Sequence, residues 1–169
     1  FHGASSGVDP SLAFFKQPIL LKKNNIGLLP GWGIGKSGLS LYLIDTGSVS
    51  KTFGLVEWFK AQVLKPIFSK YAESEFFAAN DIVVQSVERN GLIPFDALMK
   101  VSHYQIDYFT PMIPESFRKH FFAGLNNGRF AFKICGSGGG GYMLCFTNDE
   151  SFTEKYLHEE GLRFTKVVE

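Results

Sequence analysis

A short stretch near the start of the chain carries a carboxylate in a setting suited to proton transfer. Asp9 follows a run of small polar residues and precedes Pro10, a pattern typical of a loop that leads into a helix. Two interpretations of Asp9 stay open: a helix N-cap, or a general base that takes a proton from a substrate hydroxyl within hydrogen-bond distance. The roles are compatible, because a carboxylate fixed at a helix start is well oriented.

A second candidate site is the glycine-rich stretch between two β-forming segments. Glycine tolerates positive φ and lets other groups approach the backbone closely, so this density of glycine predicts a tight loop rather than a linker. Its backbone N–H groups are expected to face either an anion or a neighbouring segment of the chain. The candidate residues are Gly136, Ser137, Gly138, Gly139, Gly140 and Gly141.

His2 is a further candidate, as a ligand, a base or a hydrogen-bond partner within its own loop. No second His or Cys stands at a metal-binding spacing from it, so the sequence predicts no metal site in this chain. His103, His120 and His158 fall on predicted helices, where surface positions or hydrogen-bonded core positions are favoured.

Residues 31–37 (GWGIGKS) resemble a nucleotide-binding P-loop only in part. Three residues separate Gly31 from the Gly35-Lys36 pair, Pro30 stands where the motif has its first glycine, and a strand is predicted to follow instead of a helix. We therefore interpret this segment as a hairpin connection.

Composition narrows the class of protein. The 169 residues are enough for one domain with a full core, and a net charge of +1 gives no reason to expect nucleic-acid or membrane binding through bulk charge. Cys135 and Cys145 are expected to be reduced thiols in a cytoplasmic protein, with Cys145 opposite Phe132 in a hairpin. The chain begins at Phe1 without Met, and we expect it to be a piece of a longer protein whose other part contacts some of its 18 Phe residues.

Periodicity and turn signals predict an α+β fold, with a mostly antiparallel sheet of about four strands and helices packed on one face. Strands are predicted at 19–22, 39–45, 129–135, 142–147 and 162–168. Helices are predicted at 51–67, 72–89 and 149–158 and after Pro94 and Pro114. The first of these should bury Val56, Phe59, Val63, Leu64 and Ile67, and the last should be capped by Asn148.

Three segments, in this order, resemble the GHMP kinases, which include galactokinase, homoserine kinase, mevalonate kinase and phosphomevalonate kinase. Residues 2–9 (HGASSGVD) are similar to the segment His-Gly-x-x-Ser-Gly-Val-Asp of mevalonate kinases. Residues 44–52 (IDTGSVSKT) are similar to the strand end and helix start of the second segment. Residues 133–141 (KICGSGGGG) resemble Lys-x-x-Gly-Ala-Gly-Gly-Gly-Gly, with Ser137 in place of Ala.

The resemblance implies that residues 1–169 are a GHMP kinase C-terminal domain. The implied reaction transfers the γ-phosphate of ATP to a hydroxyl group of a small molecule, with mevalonate the favoured acceptor and isoprenoid biosynthesis the process. Asp9 matches the catalytic base, while His2, Ser6 and Gly7 match substrate-binding positions. The Gly136 to Gly141 loop is implied to lie near the phosphates and the substrate.

The family's nucleotide loop, the lysine partner of the base and the Mg²⁺-holding acid belong to an N-terminal domain and do not occur in this sequence. We therefore expect the chain alone to be inactive. Its expected partners are a small-molecule substrate and its own N-terminal domain, which would contribute ATP and Mg²⁺ binding. Another family member, such as a phosphomevalonate or sugar kinase, stays open as an alternative. A non-catalytic binding module with the same fold stays open too, as does homodimerisation.

Overall fold

A computed structural model of the chain describes residues 14–15, 18–22, 25–29, 34–49 and 52–167. The strands are β1 (Ile19–Lys22), β2 (Asn25–Leu28), β3 (Ser40–Asp45), β4 (Phe130–Ile134), β5 (Tyr142–Thr147) and β6 (Arg163–Lys166). The α-helices are α1 (Thr52–Val63), α2 (Pro66–Tyr71), α3 (Ala78–Asn90), α4 (Phe95–Tyr108), α5 (Glu115–Asn127) and α6 (Glu150–Glu159). A π-helical segment (Ala72–Phe77) joins α2 to α3, and short 3₁₀ turns (Ile34–Ser37 and Thr110–Met112) precede β3 and α5.

The main sheet has four strands in the order β4-β5-β3-β6, and each neighbouring pair is antiparallel. The predicted α+β class with a mostly antiparallel sheet is therefore confirmed. Phe132 lies opposite Cys145, as predicted, and the two cysteines are free thiols. Because β4 and β5 pair as a hairpin, the glycine loop that joins them is held at both of its ends.

β1 and β2 form a separate antiparallel pair, in which Ile19 lies opposite Leu28. The interpretation of residues 31–37 as a hairpin connection is wrong. β3 pairs with β5 and β6 instead of with the strand before it, and Ile34–Ser37 forms a 3₁₀ turn. Local turn signals could not reveal this, because the partners of β3 lie about a hundred residues further along the chain.

β3 is buried on both faces of the sheet. Tyr42 packs in a core cluster with Leu157 of α6, whereas Leu41 packs in a second cluster with Leu98 of α4. Successive residues of a strand point to opposite faces, so helical side chains cover both sides. The prediction that the helices pack on one face is therefore wrong.

α1 packs through a different face from the predicted one. Of the predicted inward set, Leu64 and Ile67 are 84% and 74% exposed, and only Phe59 packs against the main core cluster. Phe59 and Trp58 both make edge-to-face contacts with Phe68 of α2. Large apolar side chains lie on several sides of this helix, so spacing alone could not select the buried face.

The ends of the helices agree with local sequence signals better than the buried face of α1 does. Gly91 adopts a left-handed conformation after α3, which ends at Asn90, one residue beyond the predicted end at residue 89. At the start of α6, the Asp149 side chain accepts a hydrogen bond from the backbone N–H of Phe152 at 3.1 Å. The predicted cap, Asn148, is therefore wrong by one residue.

α5 lies against β4 through a glycine. A Cβ atom on Gly124 would lie 2.5 Å from the carbonyl oxygen of Phe130, well inside van der Waals contact. Phe117 and Phe121, on the same helix, are buried at 2% and 0% exposure. Any side chain at position 124 would therefore push this aromatic face away from the sheet.

We predict that Gly124→Ala destabilises the protein by about 2 kcal/mol, because overpacking against the β4 backbone outweighs the gain in helix propensity. The matched control is Gly54→Ala in α1, where a new Cβ meets nothing within 4 Å. That change should stabilise the protein by about 0.5–1 kcal/mol. Urea unfolding of both variants measures the difference. Equal effects of the two substitutions would contradict the close approach of α5 to β4.

Candidate functional site

The glycine loop between β4 and β5 is a bent, well-defined structure. Each of its glycines has positive φ, from 56° at Gly136 to 147° at Gly140. The prediction that this stretch needs conformations open mainly to glycine is therefore confirmed. Residues with a Cβ atom would have a strained backbone at most positions of the loop.

The C-terminal half of the loop is tied to the end of β3. The carbonyl oxygen of Gly141 accepts two hydrogen bonds from Thr46, one from the backbone N–H at 2.9 Å and one from the hydroxyl at 2.8 Å. The Gly141 N–H donates in return to the carbonyl oxygen of Ser48 at 2.7 Å. Both polar groups of Gly141 are therefore satisfied by the segment that follows β3. We call this segment, Thr46 to Ser48, the β3 turn.

The β3 turn is itself anchored by Asp45. Its carboxylate accepts a hydrogen bond from the Gly47 N–H at 2.8 Å and forms an ion pair with Arg163 of β6 at 2.7 Å. The turn is thus fixed to the sheet on the side away from the loop. This arrangement brings together residues from the second and third segments on which the family resemblance depends.

The N-terminal half of the loop is tied to the turn after α4. The Gly139 N–H donates to the carbonyl oxygen of Met112 at 2.6 Å, and the Gly138 N–H closes a local turn on Cys135 at 3.1 Å. A Cβ on Gly138 would lie 2.4 Å from the Met112 oxygen, and one on Gly140 would lie 2.5 Å from the Ser48 oxygen. Glycine is required here because two backbone segments close on the loop.

The clamped amides limit what the loop can do chemically. The N–H groups of Gly138, Gly139 and Gly141 all donate to carbonyl oxygens of the chain. Of the two expected roles, facing an anion or facing a neighbouring segment, the Gly139 and Gly141 amides serve the second, while the Gly138 amide closes a turn within the loop. The loop is therefore a fixed wall beside a cleft, and these three amides are already hydrogen-bonded within the chain.

A cleft of about 460 Å³ opens beside the N-terminal stem of the loop. Its wall combines aromatic and aliphatic side chains with one cation and the loop itself. The lining residues include Phe59, Phe76, Phe109, Met112, Lys133 and Gly136. The volume lies within the range of small-molecule sites, about 300–1,000 Å³.

Lys133 is the charged group of this cleft. It is half-buried in β4, and its ammonium donates to the carbonyl oxygen of Ile134 at 3.3 Å. Burial lowers the pKa of Lys133, and the nearby Cys135 thiol offsets this only partly. Across the part of the chain that the structure describes, no carboxylate forms an ion pair with it.

Gln105 fixes the helix side of the cleft. Its side-chain oxygen accepts a hydrogen bond from the backbone N–H of Ile134 at 2.9 Å, in a buried position on α4. β4 is an edge strand of the sheet, so this bond satisfies a backbone donor that no strand covers. α4 and β4 are therefore locked in one relative position.

The predicted catalytic and substrate-binding residues cannot be placed against this cleft. Asp9, His2, Ser6 and Gly7 lie outside the described residues, and their roles stay predictions. From the sequence, Lys133 is only the first residue of a motif, and neither Gln105 nor Phe76 has a predicted role in a site. A lone cation between Phe132 and Ile134 in an apolar strand was the available signal for Lys133.

The buried histidine His120 and the two cysteines lie in environments that suit structural roles. His120 is buried, and its Nδ1 lies 2.8 Å from the Tyr156 hydroxyl. Burial and the adjacent Lys119 lower the pKa of His120, which favours a neutral, hydrogen-bonded core histidine. Burial also raises the pKa of both cysteine thiols, so neither Cys135 nor Cys145 is a ready thiolate nucleophile.

Within the described ranges, no group of three or more His, Cys, Asp or Glu side chains is arranged to hold a metal ion. None of the helices there has the length and apolar character required to cross a bilayer. No model of a known protein family matches the chain, and a search of curated proteins returns no match. The chemistry of the site and the resemblance of its motifs therefore carry the functional argument.

We predict that Gly140→Ala destabilises the protein by about 3–5 kcal/mol, because backbone strain adds to a clash with the β3 turn. Gly136→Ala is the matched control, since its φ is also positive but a new Cβ there meets nothing within 4 Å. It should cost only about 1–2 kcal/mol. Denaturant unfolding measures both. A loss of stability for Gly140→Ala no larger than that for Gly136→Ala would contradict the close contact between the glycine loop and the β3 turn.

Proposed function

We propose that this chain is the C-terminal domain of an ATP-dependent kinase of the GHMP type, which phosphorylates a hydroxyl group of a small molecule. One observation carries this proposal: the glycine loop of the third motif segment is hydrogen-bonded to the β3 turn of the second. A kinase needs such parts in a fixed position, because phosphoryl transfer depends mainly on orientation and charge stabilisation.

In the proposed reaction, Asp9 accepts the proton of the acceptor hydroxyl. The hydroxyl oxygen forms a bond to the γ-phosphorus of ATP while the bond from that phosphorus to the β–γ bridging oxygen breaks, and ADP leaves. The clamped loop provides a rigid wall that restricts the acceptor and excludes water. Mevalonate is the acceptor that the HGASSGVD form of residues 2–9 favours.

The nucleotide and its metal ion are assigned to another part of the enzyme. The described residues include no cluster suited to Mg²⁺, and three amides of the glycine loop already donate within the chain. They do not fit a Mg²⁺ site, and we propose that the N-terminal domain of the full-length protein holds Mg²⁺ and ATP. Phosphorylation by the isolated chain would contradict this division of roles.

We predict that the full-length protein releases ADP from ATP in the presence of mevalonate and that Asp9→Ala lowers kcat by about a thousandfold. The matched control is Asp81→Ala, at an exposed position in the first turn of α3, which should leave kcat unchanged. A coupled ADP assay and thermal unfolding are measured together. If Asp9 were only a helix cap, its loss would cost about 1 kcal/mol of stability and leave kcat intact.

Acceptor identity is tested with a panel of mevalonate, phosphomevalonate, galactose and homoserine. Phosphorylation of galactose but not mevalonate would overturn the choice of acceptor and keep the reaction class. Failure of every acceptor, in a full-length protein that also fails to bind ATP, would overturn the kinase proposal. The remaining interpretation would then be a binding module with this fold.

A further inference from the structure

Two features distinguish the cleft beside the glycine loop from a packing void in an apolar core. It is large enough for a small organic molecule, and it contains a lysine that makes no ion pair with any described residue. The proposed phosphoryl transfer uses neither feature. Binding at this cleft can therefore be considered separately from kinase activity.

The partial burial of the Lys133 ammonium is energetically unfavourable. Its side chain is half-buried, and among the described residues its ammonium has one backbone oxygen, that of Ile134, at hydrogen-bond distance. Placing a cation in such a site without a counter-charge destabilises a fold, and an apolar side chain of similar length would fit the strand better. A bound anion would supply the missing charge.

Most of the other side chains that line the cleft are apolar. Phe109 makes edge-to-face contacts with Phe76 and Phe59, at ring-centroid distances of 4.8 and 5.6 Å. Phe76 belongs to the π-helical segment, a type of local distortion that often lies at functional sites. The aromatic rings and Met112 thus form a surface suited to a short hydrocarbon body.

We propose that this cleft binds a small amphipathic anion, whose compact acidic head pairs with Lys133 next to Gly136 and whose short apolar body lies among Phe59, Phe76 and Phe109. The head is a carboxylate or a phosphate, since a single ammonium can pair with either. The aromatic wall selects against anions that lack an apolar body. An inactive kinase would still bind such a molecule, so the two proposals can fail independently.

The test titrates the full-length protein with hexanoate, hexyl phosphate, acetate and hexan-1-ol by calorimetry. We expect at least one of the two six-carbon anions to bind, with acetate and hexan-1-ol each at least tenfold weaker. Hexanoate and hexyl phosphate distinguish a carboxylate head from a phosphate head. Hexan-1-ol binding as tightly as both anions, or no binding of either anion at millimolar concentration, would overturn the proposal.

Lys133→Met tests the role of the ammonium. We expect it to weaken binding of the preferred anion at least tenfold and to raise the midpoint of thermal unfolding, because a poorly compensated charge leaves the interior. Lys155→Met, at an exposed position on α6, is the matched control and should change neither quantity. A purely structural role for Lys133 predicts the reverse: a lower unfolding midpoint with affinity unchanged. Lys133→Gln repeats the affinity test if the Met variant does not fold.

Discussion

The peptide of Gly141 is hydrogen-bonded on both sides to the β3 turn, and the rest of the site depends on this contact. Thr46 donates twice to its carbonyl oxygen, and its N–H donates to Ser48. The contact extends the β3–β5 ladder, in which Asp45 lies opposite Tyr142, by one more connection beyond the strands. Because a central strand fixes one end of the glycine loop, the loop cannot slide or open without disturbing the sheet.

The other half of the loop extends the same constraint to the cleft. Met112 accepts from Gly139, and Gln105 accepts from the β4 backbone at Ile134, so the end of α4 and the loop stem share one frame. Lys133 lies between these two anchors. Its surroundings are set by backbone contacts that carry no charge of their own, which leaves its ammonium without a compensating carboxylate among the described residues.

The sequence predicts the parts of this arrangement that depend on local chemistry. The bounds of β1 and β5 and the positive φ angles of the glycine loop follow from glycine and from β-branched or aromatic residues, which act on residues adjacent in sequence. The partners of β3 and the burial of Lys133 depend on contacts between distant segments. The buried face of α1 was ambiguous for a related reason, since only tertiary packing selects Phe59 over Val56 and Val63. The roles of His2 and Asp9 stay predictions from resemblance.

Amide hydrogen exchange at Gly139 and Gly141 tests the central claim, that the glycine loop is locked to the body of the domain. If both N–H groups donate to backbone oxygens as described, they should exchange about as slowly as the ladder amides of β5, because opening them requires the β3 turn or the α4 end to move. Exchange at the rate of an unstructured peptide, with the β5 amides still protected, would contradict these hydrogen bonds. It would favour the alternative in which the N–H groups of the loop are free to face an anion.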